Sequence, residues 1–273
     1  VVQDGSLASG ETSTKSGWTG DSFTFNIVPN DSSKTGFVSC TNNQTGTFKD
    51  NVLTVSNVTS DTTCTVTFDT MSTVLYNDGT LIMNELGINR ASNTTKYGSV
   101  TKEYAPMDES NSYVFYSNAD QPWKYKASSI KSVDIGNTMK PVSTAYWFNN
   151  LYNMQSGSFT NLDVSNVTDM SYMFKYAGSN PTTFSLNLSN WNTSSVTGMN
   201  SMFSYAGENA TTWNIGDIST WDVSKVTDMS NMFYYAGENA TTFSLNLSNW
   251  NTSSVTGMNS MFYYAGDKST TWN

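Results

Sequence analysis

Few residues in this chain could carry out chemistry, and histidine is absent from all 273 positions. Without histidine, no Ser-His-Asp or Cys-His arrangement can activate a nucleophile, and no histidine-containing zinc or iron site can form. Two cysteines are too few for a four-cysteine metal site. The sequence also lacks a glycine-rich phosphate loop. We therefore expect no metal and no cofactor.

Carboxylates leave one catalytic option open. Any two of the 22 acidic residues could hydrolyse a glycosidic bond if they stood about 5–9 Å apart. Such a pair needs one environment that raises the pKa of one acid above that of the other. Here aspartates recur at equivalent places in a repeated sequence, which argues against a single special pair. We expect no enzyme activity and no catalytic residue.

The two cysteines, Cys40 and Cys64, lie in the strand-like segments GFVSC and TTCTVTF. A disulfide between adjacent strands is the favoured interpretation, and it would place the chain in an oxidising compartment. The alternative is a pair of buried free thiols.

Charge excludes another class of function. The chain has 13 basic and 22 acidic residues, a formal net charge of −9 and a pI near 4.3. Binding to nucleic acid requires clustered lysine and arginine, and here the basic residues are scattered. We expect no nucleic-acid partner. No run of about 18 apolar residues occurs, so we expect no membrane insertion in this segment.

Internal repetition dominates the second half of the sequence. The phrase TTFSLNLSNWNTSSVTGMNSMF at 182–203 returns unchanged at 241–262. From Val133 the same apolar position recurs at Leu162, Trp191, Trp221 and Trp250, and the step from Trp191 to Trp221 is one position longer than the others. A nearly fixed period of this size predicts stacked units that bury their apolar faces against each other.

Each unit contains two apolar patterns. In the first, apolar residues at Φ-x-x-Φ-x-Φ spacing, such as Ile218, Trp221 and Val223, predict a strand. In the second, a spacing of three, as in Val226, Met229 and Met232, predicts a short helical or 3₁₀ segment with one face inward.

The whole chain is therefore predicted to be mainly β, with four parts. Residues 1–20 are rich in Gly, Ser and Thr and suggest a linker. Residues 21–70 alternate apolar and polar positions, as in a small β-sandwich-like domain. Residues 71–129 contain a hairpin around Asn77–Gly79 and an irregular connection. Residues 130–273 form the repeats; Asn273 falls in mid-repeat, which suggests a piece of a longer protein.

The repeat phrases LDVSNVTDMSYMF and WDVSKVTDMSNMF resemble those of BspA-type leucine-rich-repeat bacterial surface proteins. The resemblance covers roughly residues 130–273, and the segment from about residue 72 looks like the region that precedes such repeats. It implies a leucine-rich-repeat solenoid, exposure at the cell surface and binding to host proteins or other cells. It brings no catalytic residues.

Two sets of side chains are candidates for contacting a ligand. One is the polar position between the two inner apolar residues of each predicted strand, which would form either a binding strip or a merely solvated face. The other is the pair Tyr234 and Tyr263, at a position that varies between repeats (Lys175, Ser204, Tyr234, Tyr263) and should therefore face solvent. The polar set comprises Asp134, Asp163, Asn192, Asp222 and Asn251.

Other aromatic residues are better explained by packing. Trp191, Trp221 and Trp250 occupy an inward register and should be core rather than a sugar-stacking stripe. The recurring tyrosines at 176, 205, 235 and 264 are also expected mainly to pack.

The sequence thus favours an extracellular adhesion or recognition module. Its partner would be a protein or glycan surface of another cell, or copies of itself. The alternative is a structural stalk, filament or virion appendage component without its own ligand. Either protein would be displayed outside the cell, on its surface, on a filament or on a virion.

Overall fold

A computed structural model of the chain describes residues 2–3, 5–9, 12–30, 35–42, 44–49, 51–69, 71–86, 89–104 and 115–272. The chain is mainly β and divides into two compact units. The first comprises Val1–Met71 and Leu86–Asn89, and the second comprises Ser72–Glu85 and Arg90–Asn273. In the described ranges, no helix has the length and apolar character needed to cross a membrane.

The first unit contains a three-stranded sheet with the order β1-β7-β4 and a four-stranded sheet with the order β2-β3-β6-β5. Their apolar faces pack together, because Val66 of the first sheet joins Ile27, Leu53 and Val55 of the second in one buried cluster. The strands are β1 (Val2–Gln3), β2 (Gly5–Leu7), β3 (Phe23–Pro29), β4 (Thr35–Cys40), β5 (Gly46–Lys49), β6 (Val52–Val55) and β7 (Cys64–Asp69).

The predicted disulfide is confirmed. Strands β4 and β7 are antiparallel, Cys40 lies opposite Cys64, and the two are bonded. The linker prediction for residues 1–20 is wrong at its start, because β1 pairs with β7 and β2 pairs with β3. Backbone pairing at a sheet edge does not require a strongly apolar segment, so composition did not reveal it.

The second unit is built on a nine-stranded sheet with the order β10-β8-β9-β11-β12-β13-β14-β15-β16. From β9 onward every neighbour is parallel. The strands are β8 (Met71–Tyr76), β9 (Thr80–Leu86), β10 (Val100–Tyr104), β11 (Ser132–Ile135), β12 (Ser156–Ser158), β13 (Thr183–Leu186), β14 (Thr212–Asn214), β15 (Thr242–Phe243) and β16 (Thr271–Trp272).

The hairpin that the sequence predicts lies at the start of this sheet. Strands β8 and β9 are neighbours joined at Asn77–Gly79, and β10 adds an antiparallel edge. Between β9 and β10 lies the helix α1 (Arg90–Tyr97). It is tied to the hairpin through the buried Glu85, which accepts hydrogen bonds from Tyr76 Oη at 2.6 Å and Arg90 Nε at 3.2 Å. The 3₁₀ helices Asn118–Asp120 and Lys124–Ser129 precede β11.

The strands of the repeats differ from the predicted ones. Beyond β11, the Φ-x-x-Φ-x-Φ segments form turns, whereas the strands of the later repeats lie in the TTFSL-type segments that precede them. Both segments alternate buried and exposed positions, so apolar spacing alone does not tell them apart. What distinguishes the strands is their backbone pairing with the equivalent residues of the next repeat.

Identical side chains stack in columns inside the repeats. Trp191, Trp221 and Trp250 stack with ring centroids 6.0 and 6.4 Å apart, which confirms their predicted inward register. Phe174, Phe203, Phe233 and Phe262 form a second column at 5.4–5.6 Å. The methionines of the three-residue spacing are fully buried in all but the last repeat. Each repeat therefore completes its core with the neighbouring repeats.

The methionine-containing segments are not helical, contrary to the prediction. In 170–178 the N–H groups of Met173, Lys175 and Ala177 donate to the carbonyl three residues back, as in a 3₁₀ turn. The intervening N–H groups, those of Met170, Tyr172, Phe174 and Tyr176, instead donate to the next repeat at 2.9–3.0 Å. This alternation requires a left-handed backbone at Tyr172, Tyr176 and Gly178, with φ of 61°, 60° and 62°. A spacing of three therefore marks consecutive turns here.

Candidate binding surfaces

The predicted polar column does not include Asp134. Asp134 lies within β11, opposite Ile82 and Ser158, and accepts a hydrogen bond from Tyr97 Oη at 3.2 Å. The prediction failed because the step from β11 to β12 is shorter than a repeat, with Ser132 pairing with Ser156. Since Met139 bridges to Leu162, the residue in register with Asp163 is Lys140. Lys140 Nζ lies 2.9 Å from Asp163 Oδ2.

The remaining polar positions stabilise turns. In each, the side-chain Oδ1 accepts the backbone N–H two residues on, at 2.9–3.2 Å, which is the geometry of an Asx turn. These residues are Asp163, Asn192, Asp222 and Asn251, and the last three are exposed. Hydrogen bonds from Ser165, with the Lys140 ammonium, lower the pKa of Asp163 to about 2. A role in binding stays a prediction for this column, alongside its structural role.

Aspartates alternate with uncharged residues along the stack. In the Asx-turn column Asp and Asn alternate: Asp163, Asn192, Asp222, Asn251. In a second column, which is joined by backbone bridges, Asp and Gly alternate: Asp169, Gly198, Asp228, Gly257. Equivalent aspartates therefore stand two repeats, or about 10 Å, apart, close to the Debye length at physiological salt. The alternation keeps like charges from stacking on one another.

Tyrosines form the most extensive aromatic surface of the described repeats. We call the set Tyr176, Tyr205, Tyr234, Tyr235, Tyr263 and Tyr264 the tyrosine ladder. Four of them stack in one column with centroids 4.6, 5.0 and 4.8 Å apart, and Tyr234 and Tyr263 stack in a second column at 5.2 Å. Tyr205 and Tyr234 link the columns edge to face at 5.4 Å. The ladder includes both predicted contact residues, Tyr234 and Tyr263.

Exposure along the ladder is uneven. Tyr263 and Tyr264 are 49% and 42% exposed, and Tyr234 is half-buried. The prediction that the variable position faces solvent is wrong for Ser204, which is buried. Burial, with a hydrogen bond to Tyr234, raises the pKa of Tyr205 to about 12. The neighbouring Tyr264 raises the pKa of Tyr263. The phenol groups of Tyr205 and Tyr263 therefore stay neutral at physiological pH.

One surface feature was missed from the sequence, a groove of about 570 Å³ beside β14 and β15. Gly216 and Asp217 line it. The sequence does contain an indication of this groove, because the spacing from Trp191 to Trp221 is one residue longer than the other spacings. Among the residues that the structure describes, no cluster of acidic or cysteine side chains could hold a metal ion.

The comparison with known families matches only the repeats. Residues 140–272, just under half of the chain, match the family described as "Mycoplasma protein of unknown function, DUF285". No curated protein and no solved structure matches the chain. The family likeness therefore covers the parallel repeats of the second unit and none of the first unit.

Proposed function

We propose that the chain is an extracellular recognition module that adheres to the protein or glycan surface of another cell and has no catalytic activity. In this proposal the first unit is a small β-sandwich-like domain, and the second is a leucine-rich-repeat solenoid of the BspA type. The observation that carries the proposal is the second column of the tyrosine ladder, in which Tyr234 and Tyr263 stack beside the first column.

The ladder has the properties of a contact surface. Tyrosine offers a large apolar area, a hydroxyl group and few rotatable bonds, and it is enriched at protein interfaces. Stacking at 5.2 Å fixes the rings of Tyr234 and Tyr263, so little side-chain entropy remains to be lost on binding. The preceding repeats carry Lys175 and Ser204 at this position, so the second tyrosine column is confined to the later repeats.

The test replaces both tyrosines with the residue that another repeat carries. The double variant Tyr234→Ser/Tyr263→Ser should lose most adherence to a monolayer of host cells. Tyr125→Ser is the matched control, because Tyr125 is 88% exposed but lies outside the ladder. Adherence of the double variant at the wild-type level, with an unchanged circular dichroism spectrum, would contradict the proposal, as would a wild-type chain that does not adhere.

The second candidate function is that of a structural spacer or filament component. The observation that favours it is the identity of residues 182–203 with residues 241–262. Electron microscopy of the purified chain distinguishes the two functions. Fibres formed without any ligand would favour the spacer, whereas a monodisperse chain that adheres to cells would favour recognition.

A further inference from the structure

One repeat departs from the others by an insertion. Neighbouring repeats read Leu-Asn-Leu at 186–188 and 245–247, where this repeat reads Ile-Gly-Asp-Ile at 215–218. Ile215 and Ile218 are both buried, as are Leu186 and Leu188 in the preceding repeat. The extra residue is therefore accommodated on the surface, where Gly216 is half-buried and Asp217 is exposed.

Glycine is required at this bulge. Gly216 has a φ of +83°, and a Cβ there would lie 2.6 Å from Ser189 Oγ and 2.9 Å from Asn187 Oδ1. The bulge is also held by hydrogen bonds. Gly216 N donates to Asn214 Oδ1 at 2.8 Å, and Asp217 N donates to Ser189 Oγ at 2.9 Å. Gly216 and Asp217 thus have one defined conformation.

The insertion follows a strand that pairs less extensively with the next repeat than with the preceding one. Strands β13 and β14 pair through three residues, but β14 and β15 pair only through Thr212 and Thr242. Ile215 O accepts a hydrogen bond from Leu188 N in the preceding repeat at 3.0 Å. Residues 215–217 make no backbone hydrogen bond to residues 245–247 of the following repeat, all of which the structure describes.

The groove lies along these two strands, and its lining is predominantly polar, with Asp217 as its charged residue among those described. Its volume of about 570 Å³ is within the range of small-molecule sites. Hydroxyl groups line both walls, and none of the described residues in the lining is a lysine or an arginine. The polar side chains that matter most are Thr212, Asn214, Asp217, Thr242, Ser244 and Asn246.

The polar groups that line the groove favour one class of ligand over others. An apolar ligand would leave these groups desolvated without partners, which is unfavourable. An anionic ligand would be repelled by Asp217, and the described lining residues supply no cation to offset the repulsion. A neutral sugar supplies hydroxyl groups that can both donate to the carboxylate and accept from the amides and hydroxyls.

We infer that the groove beside Gly216 and Asp217 binds a neutral oligosaccharide lying along the exposed face of β14 and β15. This inference rests on the proposed recognition function and names the ligand class and site for it. The groove is separate from the tyrosine ladder in sequence, so each can be altered alone.

The experiment presents the full chain to an array of neutral linear glucans, mannans and chito-oligosaccharides, with sialylated and sulfated glycans alongside. At least one neutral glycan should bind in preference to the anionic ones, and its affinity is then measured by calorimetry. Asp217→Ala should weaken that binding roughly 10- to 100-fold, because it removes hydrogen bonds to the sugar. Asn214→Ala should weaken it as well, because it removes a sugar contact together with the hydrogen bond that holds Gly216. The matched control is Ser185→Ala, since Ser185 lies opposite Asn214 on β13 and does not line the groove.

A second variant removes the groove with the chain's own sequence. Replacing Ile215–Ile218 with Leu-Asn-Leu restores the regular repeat length and should abolish glycan binding while the fold is kept. Absence of any neutral-glycan binding, or undiminished binding by Asp217→Ala, would overturn the inference. Cell adherence measured in parallel separates the two proposals. A wild-type chain that does not adhere contradicts the recognition function, whereas a groove-less variant that binds the same glycan contradicts the groove alone.

Discussion

At the residue scale, the recurring aspartates stabilise turns by accepting backbone hydrogen bonds, and they would repel one another if they were stacked. The pKa of Asp163 reflects its hydrogen bonds. Its pKa is about 2 in the folded chain against an ordinary value of 3.8. Because the folded-state pKa is lowered, the stability that the charged form contributes is present above about pH 3.8 and is lost as the pH falls towards 2.

The titration can be followed by NMR of the Asp163 carboxyl carbon. The wild-type midpoint should lie near pH 2. Ser165→Ala should raise it most, since the hydrogen bond from the Ser165 side chain is the largest cause of the shift, and Lys140→Met should raise it less. A midpoint near 3.8 in the wild-type chain would contradict the contacts of Asp163 with Ser165 and Lys140.

Substitutions at Gly198 test whether like charges on adjacent repeats destabilise the chain. A Cβ at Gly198 would lie 3.1 Å from Asp169 Oδ1, and Asp228 bridges to Gly198 on its other side. Gly198→Asp should destabilise the chain more than Gly198→Asn, which has the same size without the charge. At one strand spacing in water, each like-charge contact costs about 1 kcal/mol.

Urea unfolding at low and high salt measures this difference. The gap between the two Gly198 variants should shrink at high salt, because screening weakens exposed charge interactions. An equal loss of stability in both variants, insensitive to salt, would leave crowding as the only reason for glycine at this position.

At the element scale, the tryptophan column links one repeat to the next. Trp221 is 2% exposed, and its Nε1 donates to Leu188 O of the preceding repeat at 3.1 Å. Trp250 makes the equivalent bond to Ile218 O at 3.0 Å but is only half-buried. Trp221→Ala should therefore cost about 3–5 kcal/mol of unfolding free energy, and Trp250→Ala clearly less. Chemical denaturation of the two variants checks the order, which equal losses would contradict.

The elements also show what the sequence could and could not predict. The inward tryptophans, the Cys40–Cys64 bond and the hairpin at Asn77–Gly79 follow from local chemistry, and each is confirmed. The choice of strand and the register of Asp134 were wrong, because both depend on which residues of two distant segments pair. The groove was missed because one inserted residue changes strand pairing without changing the apolar pattern.

At the scale of the whole molecule, the aspartates recur every second repeat. The chain can therefore be shortened or lengthened by two repeats without bringing like charges together. The phrase at 182–203 recurs at 241–262, which is a shift by one such pair of repeats. Deleting 182–240 joins Pro181 to an identical phrase and keeps Asp163 and Asp169 next to uncharged residues. Deleting 182–210 removes only one repeat but brings Asp163 and Asp169 next to Asp222 and Asp228.

The stability of the variant with the shorter deletion should therefore depend more strongly on salt. Its unfolding midpoint in urea should rise with added salt, because two new like-charge contacts are screened. The longer deletion should have the smaller denaturant m-value, since it exposes less surface on unfolding, and a weak response to salt. The same salt response in both variants would contradict a two-repeat unit.

The backbone bonds between successive turns also determine how the molecule yields to mechanical load. Tyr172, Phe174 and Tyr176 each donate a backbone hydrogen bond to the following repeat, and that repeat donates in the same way to the one after it. A pull on the last repeat therefore acts on one row of bonds at a time. Each repeat that peels away adds about 100 Å of extended chain. Under tension the repeats are therefore expected to lengthen the chain in nearly equal steps and to absorb work at each one.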